Sequence, residues 1–87
     1  MDVVMKSTRY FSEQVLRKRP YISESMCKAV IASPLKRLVQ PDGRLRHWGS
    51  VVDTRDGNER ILRVITLEDG ETLHNAFFDR DFRKEDQ

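Results

Sequence analysis

From Arg46 onward the chain sets a few chemically capable side chains among apolar ones: Arg46, Trp48, Arg63, His74 and Arg80. A guanidinium fork matches the oxygens of a phosphate with paired N–H bonds. An indole offers a face on which a nucleobase stacks, worth about 1–3 kcal/mol per base. Histidine has its ordinary pKa near neutrality and can move a proton. These are the parts of a metal-independent endoribonuclease, in which a 2′-hydroxyl attacks the adjacent phosphorus. Arginines stabilise the added charge, and an acid protonates the departing 5′-oxygen. In that scheme Arg63 and His74 form the central pair, with His74 as proton donor. Arg46 and Arg80 hold flanking phosphates, Trp48 stacks a base, and the run Arg17-Lys18-Arg19 adds positive charge for a nucleic acid. No carboxylate cluster accompanies them, so neither a metal nor another cofactor is expected.

These side chains cooperate only if one sheet face carries them. The stretch Glu59–Phe82 reads as two long strands around the turn Glu68-Asp69-Gly70-Glu71, since Asp-Gly between apolar runs signals a tight hairpin. A two-residue turn pairs Leu67 with Thr72, Ile65 with His74, Arg63 with Ala76 and Ile61 with Phe78. One face then carries Leu62, Val64, Leu73 and Phe77. The other carries Ile61, Arg63, Ile65, His74, Phe78 and Arg80. Upstream, Leu35–Gln40 reads as a short strand, Pro41-Asp42-Gly43 as a turn, and Arg44–Thr54 as a longer strand. A four-residue loop, Arg55–Asn58, then pairs Thr54 with Glu59, Val52 with Ile61, Ser50 with Arg63 and Trp48 with Ile65. Arg46 and Trp48 thereby join the Arg63 face, and a two-residue slip would leave that facing unchanged.

Two helices precede the strands. Thr8 or Ser7 caps the first, Arg9 to Arg19, whose stripe is Phe11, Val15 and Leu16, and Pro20 ends it. Ser23 caps the second, Glu24 to Ser33, which buries Ile22, Met26, Ala29 and Val30, with Ile31 or Ala32, and carries Cys27 as a small packed thiol. The predicted fold is α+β: two N-terminal helices on one face of a four-stranded antiparallel meander. Residues 1–7 read as an edge strand or a flexible lead-in, and residues 83–87 as a flexible tail.

The 87 residues suit one domain with one modest core, and 38% hydrophobic with 34% charged residues fits a soluble globular chain. No apolar run is long enough for a membrane span, and no signal-peptide pattern opens the chain, so a cytoplasmic protein is expected. A lone Cys27 permits no internal disulfide. The formal charge of +2 divides into +6 over residues 1–47 and −4 over residues 48–87. A basic half attracts phosphate or an acidic protein partner.

Each candidate also has a purely structural role open to it. Arg63 can pair with Asp79, Asp81 or Glu59, and Trp48 can be core. His74 and His47 can be hydrogen-bonded sheet histidines, and Arg17-Lys18-Arg19 can be a solvated helix end suited to the C-terminal dipole. The same Arg/Trp face would equally serve a non-catalytic module that binds an acidic partner, since Arg and Trp are enriched at interface hot spots.

The segments RKRPYI, DGRLRHWG and TLHNAFFDR, within a stretch from about Phe11 to Phe82, resemble a small uncharacterised bacterial protein family. The order of two helices and four strands is in turn distantly similar to the RelE/BrnT-like toxins of toxin–antitoxin systems. That second resemblance implies a RelE-like fold and a ribonuclease working through Arg, Lys, Tyr or His on the sheet, with an antitoxin as partner. Arg46, Arg63, His74 and Arg80 are the positions that resemble the toxin pattern. The chain differs in its weaker net charge and in lacking a basic, tyrosine-bearing C-terminal segment.

Overall fold

The structure, a computed structural model, describes residues 6–82. It contains two helical segments and one four-stranded antiparallel sheet in the order β1-β2-β3-β4, an α+β architecture. The first segment, α1, is a π-helical turn over Phe11–Val15 continued as α-helix over Leu16–Lys18. Thr8 caps it: its hydroxyl accepts the N–H of Phe11 at 3.1 Å, and its carbonyl accepts that of Ser12. Arg19 leaves helical geometry directly before Pro20, as steric conflict with a proline ring requires. The second helix, α2, spans Glu24–Ala32, and the Ser23 hydroxyl accepts the Met26 N–H at its start. The strands are β1, Lys36–Val39; β2, Leu45–Val52; β3, Glu59–Thr66; and β4, Leu73–Phe78.

Phe11 and Val15 of α1 and Cys27 and Val30 of α2 are buried in one cluster with Ile22, Leu62, Val64, Leu73 and Ala76. Burial of side chains of this size contributes about 1.5–3 kcal/mol each, which outweighs the weak intrinsic stability of helices this short. Gly49 of β2 lets α2 approach closely, because a Cβ there would stand 3.0 Å from Val30 Cγ2. Arg46, Trp48, Arg63, Ile65, Asn75 and Phe77 alternate onto the opposite face of the sheet.

Two registers depart from the sequence expectation. Between β2 and β3 the pairing slips by two residues, so that Val52 faces Glu59 and Trp48 stands opposite Arg63. The cause is Asp53, whose N–H bonds Asn58 and whose carbonyl accepts the N–H of Gly57, widening the loop. An even slip keeps every side chain on its expected face. Between β3 and β4 a bulge intervenes: Thr66 pairs with Leu73 but Ile65 with Asn75, leaving His74 as the extra residue. Phe77, not Ala76, therefore stands opposite Arg63, and Phe78 turns to the helix side, where it stacks on Tyr21. The expected facing of Phe77 and Phe78 is thus reversed. The connecting turn also differs. Only Gly70 takes positive φ (+71°), so Leu67–Gly70 closes as a four-residue turn in place of the type I′ pair.

Alongside β4, Ser7 forms an isolated parallel bridge with Leu73, held by bonds from Thr8 N–H to the Leu73 carbonyl and from Leu73 N–H to the Lys6 carbonyl. The expectations for residues 1–5 and for the tail at 83–87 lie outside the described residues.

Candidate functional site

On the open face the β2–β3 register places Trp48 and Arg63 side by side, and one carboxylate takes both. The indole Nε1–H of Trp48 donates to Asp79 Oδ2 at 2.9 Å, and Arg63 Nε lies 3.4 Å from the same oxygen. That second contact is an ion pair without hydrogen-bond geometry, so Arg63 Nε remains a buried donor with no hydrogen-bond partner. Its guanidinium rests 4.6 Å above the Phe77 ring centroid and 5.6 Å from that of Trp48. Burial pushes the Asp79 carboxyl upward. The Trp48 and Asp81 N–H groups and the Arg63 charge outweigh it and hold the group below the ordinary carboxylate range. Trp48 is only 7% exposed, and Phe82 stacks on it with centroids 5.7 Å apart and planes 22° from parallel. The two residues read from sequence as phosphate fork and base platform are adjacent, and both are already occupied.

His74 lies elsewhere. The bulge carries it to the edge of β4, three residues before the Phe77 that faces Arg63, so the expected Arg63–His74 pair is not formed. Its Nδ1 is 3.1 Å from Thr8 Oγ1, and its ring is 5.2 Å from that of Tyr10. Thr8 Oγ1 accepts the Phe11 N–H and keeps a second lone pair for an Nδ1–H of the neutral imidazole, the tautomer that leaves the Nε2 lone pair open as a proton acceptor. Burial first, then the Arg44 charge, lower the His74 pKa, with Asp42 opposing. The imidazole is therefore uncharged at neutral pH. Sequence reasoning missed Thr8 and Tyr10 as its neighbours, because they are remote in the chain. The helix-capping signal at Thr8 was the one local hint of where that hydroxyl would point.

Arg80 is exposed on the wall of a cleft of about 550 Å3 that Arg55, Arg60, Ile61, Phe78 and Phe82 help to line. Arg55 and Arg60 are committed there to fully buried Asp53, which takes Arg55 Nη2 at 2.6 Å and Arg60 Nε at 3.0 Å. Those bonds, led by the Arg55 side chain, bring the Asp53 carboxyl down to about 2. The Arg55 guanidinium also lies 3.7 Å above the Tyr21 ring. Arg46 donates from Nε to Gln40 at 2.8 Å on the β1–β2 side of the sheet. Arg17 and Lys18 are exposed at the end of α1, with Arg19 half-buried after them, on a different element from the other candidates.

The remaining titratable groups are structural in geometry. His47 is buried, with Nε2 3.1 Å from Thr66 Oγ1 and Nδ1 unpartnered; burial, then Arg37, lower its pKa. Cys27 is buried and its thiol is pushed up to about 12 by that burial. Among the described residues no three His, Cys, Asp or Glu side chains converge as metal ligands, and no helix is long and apolar enough to cross a membrane. In comparisons with protein families, curated proteins and solved structures, nothing matches this chain.

Proposed function

We propose that this chain is a RelE/BrnT-like, toxin-type protein that acts on RNA in the cytoplasm as a metal-independent endoribonuclease, held in check by an antitoxin partner. The observation that carries the reading is the setting of His74: half-buried, its Nδ1 fixed by Thr8, with Tyr10 beside it and the Arg44 charge acting on it. A neutral imidazole suits acceptance of the 2′-hydroxyl proton better than donation to the leaving 5′-oxygen. In this reading His74 is the base, which changes the role expected from sequence. The Tyr10 hydroxyl, on the ring beside His74, is assigned as proton donor to the leaving oxygen, and Arg44 stabilises charge on the phosphorane. The helical segments followed by a four-stranded meander agree with the element order of the toxins, which is support by analogy of fold.

The test is expression with cellular RNA followed by gel and primer extension, comparing the parent with His74→Ala, Tyr10→Phe and Arg63→Ala. The parent and Arg63→Ala should cut, His74→Ala should lose at least about a hundredfold in rate, and Tyr10→Phe about tenfold. Intact RNA with the parent, in the absence of any partner, rejects the enzyme reading. A second reading then stands, a non-catalytic module that binds an acidic protein on its Arg/Trp face. It is favoured by one observation: Trp48 and Arg63 already converge on a carboxylate.

A further inference from the structure

β4 ends at Phe78, yet the chain still bonds the sheet at Asp79 and returns to it at Phe82. The Asp79 N–H bonds the Ile61 carbonyl at 2.9 Å, and Asp79 Oδ1 accepts the Asp81 N–H at 3.0 Å, an Asx turn that folds the chain back. That turn brings the Phe82 ring onto Trp48, while Asp79 Oδ2 sits between Trp48 Nε1 and Arg63. A carboxylate on an arginine and a flat ring on an indole occupy one continuous surface.

We infer that Asp79–Phe82 is a strap covering a nucleotide subsite made by Trp48 and Arg63, the carboxylate standing in the phosphate position and the Phe82 ring in the base position. The inference rests on the RNA-directed reading above, and it concerns binding and access, not the cleavage chemistry at His74. Three features support an occupant that can leave. Arg63 Nε is buried without a hydrogen-bond partner, so the carboxylate satisfies it less completely than a tetrahedral phosphate with more oxygens could. Both donors share one oxygen, Oδ2, while Oδ1 is engaged by the Asp81 N–H, so neither donor has a carboxylate oxygen of its own. Phe82 itself is half-buried, held over Trp48 by a ring stack at the end of a turn.

The molecule carries a single tryptophan, so Trp48 emission reports on this surface alone. The probe is a single-stranded hexathymidylate, which lacks the 2′-hydroxyl and cannot be cleaved by the proposed reaction; a failure of catalysis and a failure of this subsite are thereby separated. Phe82→Ala should bind it about tenfold more tightly than the parent, one base–aromatic competitor having been removed. Asp79→Asn, which keeps the turn acceptor but frees the Arg63 charge, should also bind it more tightly. In both, binding should quench Trp48. The parent chain with fluorophenylalanine at its phenylalanine positions supplies a measurement that needs no destabilising variant: saturation with the probe should move the Phe82 resonance to its solvent-exposed position. The inference is overturned if both variants bind no better than the parent, if binding leaves Trp48 emission unchanged, or if the Phe82 resonance stays fixed at saturation. Strap-open variants that capture polyglutamate but not hexathymidylate overturn it too, and point to the acidic-partner reading.

Discussion

Val30 and Gly49 meet where α2 crosses β2: the Val30 Cγ atoms lie 3.0 and 3.1 Å from the point a Cβ on Gly49 would occupy. Both residues are buried, so neither has room to yield without moving the helix. Gly49→Ala should therefore destabilise the fold by about 1–3 kcal/mol through overpacking. Val30→Ala in the same chain should recover part of that loss. Urea denaturation of the four members of the cycle gives the coupling, and strictly additive effects would show that the contact is slack.

Acid should weaken the protein in two separate windows. His47 is held neutral in the fold, below its ordinary value of 6.5. A depressed histidine pKa means that the unfolded chain binds the proton more readily. The stability carried by neutral His47 is complete above about pH 6.5 and is lost as the pH falls below it toward the folded value. His74, lowered in the same direction, adds to the slope. His47→Gln should flatten the dependence between about pH 7.5 and 5.5, by at most about 1.4 kcal/mol per pH unit. Equal slopes in parent and variant would clear His47 of any part in it.

The lower window belongs to Asp53. Its carboxyl, brought down from 3.8 to about 2, contributes stability that is present above the unfolded value and disappears as the pH falls through about 2. Asp53→Asn should lower the melting temperature at neutral pH, because Arg55 and Arg60 lose the charge that joins them. Near about pH 2 the parent is itself protonated, and the gap between the two should close. A gap of constant size across that range would mean that Asp53 acts through shape alone.

Cys27 offers a check on the core. With its thiol raised to about 12 and fully buried, it should resist an aromatic disulfide reagent in the native protein at about pH 8 and react fully in guanidinium. Rapid native labelling would place α2 in frequent exchange with an open form.

Local signals were legible wherever the physics is local. Thr8 and Ser23 as caps, Pro20 as a terminator, and Phe11, Val15 and Val30 as core follow from capping chemistry and helical period, and the structure has each in that role. Across β2 and β3 the absolute register was off by two, yet Trp48 and Arg63 kept their shared face, because an even slip cannot change it. β4 was not legible past its first residue. One extra residue at His74 reverses every side chain after it, and that bulge sits beside the pairing of Ser7 with Leu73, which no window of neighbouring residues contains. The Arg63–His74 pair failed for the same reason. Asp79 is among the partners the sequence offers Arg63, whereas the return of Phe82 over Trp48 has no signal in strand periodicity, because its cause is an Asx turn at the strand's end.

The Thr8–His74 bond joins residues 66 positions apart, whereas the sheet grows by pairing each strand with the next in sequence. Closing the longer loop costs more chain entropy, so the meander should assemble first and the N-terminal segment should dock on it afterwards. The imidazole therefore gains its hydroxyl neighbour and its aromatic flank at the last step of folding. The same step is the first to reverse in a partial opening. Hydrogen exchange at the Thr8 and Leu73 amides should accordingly run ahead of exchange at Val64, and any chemistry at His74 should switch off at a lower denaturant concentration than the one that melts the sheet.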